Sequence, residues 1–190
     1  MRYKFRNEIE INNFISDCSN RNIEILNSVK TLFENNTDKK NLTGSWILLL
    51  FCIEESGKLV KLINDLHKSS NYTGMDFEYH HISKAKECKN LFEKMNKLIK
   101  KNQAYLQSLE IETDPIRIND QLLNEFENNF MEFRESILYC DPGQVKRSIP
   151  DKDQLLLVWT TLYLFNTILN NRAKKDLSVE EKIKITFLRI

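Results

Sequence analysis

The sequence predicts an all-α, single-domain bundle spanning residues 1–190, of about five long helices plus a short C-terminal one. Two observations carry this. In 190 residues there are only four glycines and three prolines, too few for a many-turned β fold. Apolar residues also recur at alternating three- and four-residue spacing over long windows, the period of a helix with one buried face. The composition, 41% hydrophobic and 29% charged, is that of an ordinary globular chain with enough length to build a core.

The first helix is expected from about Asn7 to Glu34. Its seam is Ile11, Phe14, Ile15, Cys18, Ile25, Leu26, Val29, Leu32 and Phe33. Asn22 lies on that seam, a polar residue at an apolar position, and is expected to hydrogen-bond between helices. Asn35–Thr43 is a polar connection offering several N-caps.

The central helix follows. It opens with the apolar run Trp46–Ile53 and ends near His67, with a loop from Lys68 to Gly74. A helix apolar all round is normally buried. Its seam reads Leu48, Cys52, Glu55, Leu59, Leu62 and Leu66, which places Glu55 inward and Glu54 outward or toward a partner. An inward carboxylate is costly unless it is paired or protonated.

The third helix is expected from roughly Asp76 to Leu109, with Phe77, His81, Lys84, Cys88, Leu91, Met95 and Leu98 inward. Two ionisable residues thus stand one turn apart at the start of an apolar seam. Another face carries Lys86, Lys89, Lys97 and Lys100, either a solvated face or a stripe for RNA phosphates.

Glu110–Ile118, with Pro115, breaks the helix. A fourth runs from about Asp120 to Tyr139, with Leu123, Phe126, Phe130, Phe133 and Ile137 inward and Arg134 at the seam edge. Asp141-Pro142-Gly143 signals a turn. Asp151 with Gln154 caps a fifth helix to about Asn171, apolar over most of its surface. Ser178 and Glu181 form a capping-box pattern for the short last helix.

Charge and motifs remove several functions. A formal net charge of +1 argues neither for nucleic acid nor for membrane, and no apolar run approaches a membrane span. Cys18, Cys52, Cys88 and Cys140 form no CxxC pair and read as buried thiols in a reducing, cytosolic compartment. Zinc ligands do not cluster. Glu78-Tyr79-His80-His81 holds a single Glu-x-x-His, where a di-iron bundle needs two, so no metal and no cofactor are expected. Gly57-Lys58 resembles the end of a phosphate loop, but that motif needs glycine at Cys52 and a loop conformation.

Spacing therefore gathers Glu55, His81, Lys84 and Arg134 from three helices as candidate catalytic residues. Either they form a ligand or catalytic site, or they are an ion-pair network that fixes helix register.

The order of these features resembles the AbiV family of phage abortive infection proteins, itself similar to the HEPN superfamily. The resemblance rests on three stretches: LLLFCIEESGK, with Glu54, Glu55, Gly57 and Lys58; HHISK, with His81 and Lys84; and FRESILYCD, with Arg134, Tyr139 and Asp141. It implies a HEPN-like bundle, a homodimer, a cytoplasmic location and a phage or host protein trigger. It also adds Glu54, Lys58, Tyr139 and Asp141 as binding residues. HEPN nucleases carry Arg followed by His four to six residues later, whereas Leu138, Tyr139 and Cys140 follow Arg134 here. Three readings stay open: an effector that binds a phage, host or RNA component and arrests translation; a ribonuclease using the cluster; and a helical scaffold.

Overall fold

The computed structural model describes residues 5–34, 39–68, 80–101, 117–138 and 150–173. Among them are six helices and no strand: α1 Glu8–Glu34, α2 Lys39–Lys68, α3 His81–Lys101, α4 Asp120–Asn128, α5 Phe130–Leu138 and α6 Lys152–Ala173. The fold class is as the glycine count and periodicity predict. The expected last helix at Ser178 lies outside the described residues, as do Tyr139, Cys140 and Asp141.

Helix starts follow local chemistry. Asn7 Oδ1 accepts from the Glu10 amide at 3.0 Å and caps α1. Asn119 caps α4 by accepting from the Leu122 amide at 2.8 Å. Asp151 Oδ1 accepts from the Gln154 amide at 2.9 Å, as expected for α6. The Gln154 side chain does not fold back to complete a capping box. It accepts from the Asn119 amide at 2.8 Å and donates to the Arg117 carbonyl at 3.1 Å, tying the start of α4 to the start of α6.

Two boundaries differ from expectation. The helix α2 starts at Lys39, inside the stretch read as a polar connection. The helix expected from Asp120 to Tyr139 is two, interrupted at Asn129, whose amide bonds Glu125 O at 3.2 Å while its carbonyl accepts from the Phe133 amide at 2.9 Å. The apolar seam runs on across the interruption: Leu123, Phe126, Phe130, Phe133 and Ile137 are all buried. Seam continuity made one helix of what is two.

The helix α2 is the hub, packed against α1, α3, α5 and α6. Its buried residues occupy several faces, including Trp46, Leu49, Leu50, Cys52, Ile53, Leu59, Val60, Leu62, Ile63 and Leu66. At Gly57 the backbone of α3 comes close. A second core layer joins α3 to α4 and α5 through Phe92, Phe126 and Phe133, with Phe126 edge-on to Phe133 at 5.9 Å between ring centroids.

The opposite side of α2 carries a polar knot. Asn22 of α1 donates to Ser56 Oγ at 3.3 Å and to Asn166 Oδ1 of α6 at 3.0 Å. Asn166 donates to Ser56 Oγ at 2.9 Å. All three side chains are buried, so the interhelical hydrogen bond expected of Asn22 is present and joins three helices.

Candidate functional site

The buried carboxylate on α2 is Glu54, only 6% exposed. This corrects the expectation that Glu55 points inward and Glu54 outward. Glu55 is 26% exposed at its side chain and pairs with Lys58 one turn along α2. That pair faces α1, where Lys58 Nζ lies 5.4 Å from the centre of the Phe14 ring. The reason for the correction is the hub position of α2. A helix enclosed by four neighbours has no single seam, so four-three spacing identifies one buried stripe and misses the next.

Three side chains converge on Glu54. His81 Nδ1 contacts Oε2, Lys84 Nζ stands 4.0 Å from Oε2, and Arg134 Nε donates to Oε1 at 3.0 Å. His81 and Lys84 come from the first turn of α3, and Arg134 from α5. The expected cluster of His81, Lys84 and Arg134 is therefore one group, with Glu54 in the place given to Glu55.

Burial differs among the partners. Lys84 is buried, and Arg134 is 18% exposed at its side chain. His81 was expected on a buried seam, but it is the first residue of α3 and its side chain is 45% exposed. The site is thus a buried anion with an imidazole at its open edge. Engaging Nδ1 fixes the ring and leaves Nε2 for another partner. Binding Arg134 through Nε leaves its terminal guanidinium nitrogens, the pair suited to an oxyanion. Near this edge stand two exposed apolar residues, Phe51 one turn before Glu54 and Ile82 next to His81.

Two lysines of the α3 stripe, Lys86 and Lys89, are tied down. Lys89 lies 2.6 Å from Glu127 and 3.1 Å from Glu93, and Lys86 lies 3.9 Å from Glu127. The two Glu127 pairs join α3 to α4 and interrupt the lysine stripe.

Burial holds the core thiols in the protonated form. Burial pushes Cys52 up to about 12, with the Glu55 carboxylate adding in the same direction. Burial likewise raises Cys88 and Cys18. Among the described residues no group of three His, Cys, Asp or Glu converges to hold a metal ion, and no helix is long and apolar enough to cross a membrane.

One signal for Glu54 was present in the sequence. A glycine inside a helix suggests a close approach by another backbone, and the residue one turn before it faces the same neighbour. Gly57 identifies that face, and Glu54 lies on it.

Compared with known proteins, the chain matches no family model, no curated protein and no solved structure.

Proposed function

We propose that this chain is a cytoplasmic abortive infection protein of AbiV type. It binds a phage, host or RNA component through the Glu54 cluster and arrests translation or phage propagation. One observation carries the reading. The stretches with Glu54 and Gly57, with His81 and Lys84, and with Arg134 are far apart in the chain, yet they meet at one carboxylate. Residues of a resemblance that converge in space behave as parts of one site. Charge suits the role: Arg134 binds Glu54 through Nε and keeps its terminal nitrogens for an anionic group. In this reading the protein acts as a homodimer, in keeping with exposed Phe51, Ile82, Leu156 and Leu164.

A second reading, ribonuclease, is favoured by the exposure of His81. An imidazole held by a buried carboxylate at an open edge can act as general base through Nε2. It would take the proton of a ribose 2′-hydroxyl as that oxygen attacks phosphorus. A cyclic phosphate forms, the bond to the 5′-oxygen breaks, and the leaving oxygen takes a proton from water. Arg134 and Lys84 would stabilise the charge on the phosphorane.

Phage challenge of cells expressing the wild type or His81→Ala, with pulse-labelled translation, tests the first reading. The wild type is expected to block plaque formation and His81→Ala to fail at equal soluble level. Full protection by His81→Ala would remove the cluster from function. Labelled total RNA incubated with pure protein, with and without phage lysate, decides the second reading: intact RNA under both conditions sinks it.

A further inference from the structure

We propose that Gly57 is the positioning residue of the cluster, setting the distance between Glu54 and His81 by letting α3 rest on the backbone of α2; the proposal builds on the reading of that cluster as the functional site. A Cβ at position 57 would lie 1.8 Å from the carbonyl oxygen of Lys84 and 2.6 Å from its carbonyl carbon. The obstacle is backbone, which no rotamer change can move. Only glycine fits, and its Cα comes within about 3.3 Å of the oxygen, the range of a Cα–H···O contact.

The two helices meet in matched register. Glu54 stands one turn before Gly57 on α2, and His81 stands one turn before Lys84 on α3. The Lys84 amide donates to the His80 carbonyl at 3.2 Å, so the first turn of α3 is closed and His81 is fixed relative to Lys84. The Lys84 side chain then returns to Glu54. The point of closest approach and the ion cluster are therefore adjacent turns of one crossing. A methyl group at position 57 must push the Lys84 carbonyl from 1.8 Å to 3.0 Å or beyond, and His81 travels with it. Arg134 sits on α5, which packs directly on α2 as well as on α3, so it does not ride on the Gly57 contact as His81 does.

This asymmetry supplies the test. Gly57→Ala is combined with double-mutant cycles read by thermal melting. In the wild-type background, Glu54→Gln with His81→Gln, and Glu54→Gln with Arg134→Gln, should each be non-additive by about 2–4 °C. In Gly57→Ala the Glu54–His81 coupling should fall below about 1 °C while the Glu54–Arg134 coupling survives. Persistence of both couplings, or loss of both, would overturn the proposal. Gly44→Ala, at a position with nothing within 4 Å, can be added to both backgrounds to offset lost stability. A Gly57→Ala chain that stays unfolded even then would also overturn it, since the glycine would serve the whole fold. Phage protection separates the two levels. Lost coupling with lost protection supports both. Lost coupling with full protection upholds the geometry and rejects the cluster as the functional site.

Discussion

Arg134 Nε donates to Glu54 Oε1 at 3.0 Å, joining a nine-residue helix to the hub of the bundle across eighty positions of chain. Removing the charge at Glu54 leaves this guanidinium without its anion and takes a carboxylate from beside the buried Lys84 ammonium. Glu54→Gln is expected to cost about 3 kcal/mol and lower the melting temperature by about 6–12 °C. Glu55→Gln breaks only a part-exposed pair within one helix and should cost less than about 1 kcal/mol. Calorimetry on both variants checks the ordering, and equal losses would mean that Glu54 is not the buried anion.

Stability and protection should separate at the open edge. His81→Ala removes a half-exposed ring and should melt within about 2–4 °C of the wild type. Lys84→Met keeps the apolar stem and leaves Arg134 to pair with Glu54, so it should also fold. Both are expected to lose phage protection. Variants that protect in proportion to their soluble level would assign the cluster a structural role.

The polar knot on the other side of α2 offers the contrasting case. Asn166→Ala leaves Asn22 and Ser56 short of partners in the core and is expected to cost about 1–3 kcal/mol. It should leave protection intact when expression is restored. Chemical denaturation with a phage assay distinguishes this from the Glu54 cluster.

The buried thiols set a pH dependence. Cys52 is held up at about 12 against 9 in the unfolded chain, and Cys88 is raised as well. Between those values the unfolded chain binds fewer protons than the folded one, so stability falls as pH rises. The contribution is complete below pH 9 and is lost above it at up to about 1.4 kcal/mol per pH unit for each thiol. Urea midpoints at pH 8 and pH 10, under reductant, should differ more for the wild type than for Cys52→Ala/Cys88→Ala. An identical difference would mean that these thiols are not kept protonated by the fold.

Periodicity was a good guide where a helix has one buried face. Leu123, Phe126, Phe130, Phe133 and Ile137 were legible because α4 and α5 present a single stripe to the core. It failed at α2, where burial on several faces made Glu54 and Glu55 indistinguishable by spacing. It also failed at Asn129, because a break that preserves the stripe leaves no trace in the pattern. The partnership of His81, Lys84 and Arg134 was legible as three ionisable residues near apolar seams. Their distances to one carboxylate were not, because contacts between remote segments depend on how helices cross, and only Gly57 hinted at where.

The two tryptophans give the molecule its own optical probes. Trp46 is fully buried, donates through Nε1 to the Pro150 carbonyl at 3.1 Å, and meets Phe133 edge-on at 6.2 Å. Phe133 is the immediate chain neighbour of Arg134. Trp159 reports elsewhere, stacked on Tyr163 and bonded to the Leu26 carbonyl at 2.7 Å. With Trp159→Phe, tryptophan emission comes from one side chain, packed against the helix that carries the arginine. Any partner that draws Arg134 away from Glu54 would shift that emission without a label having been attached.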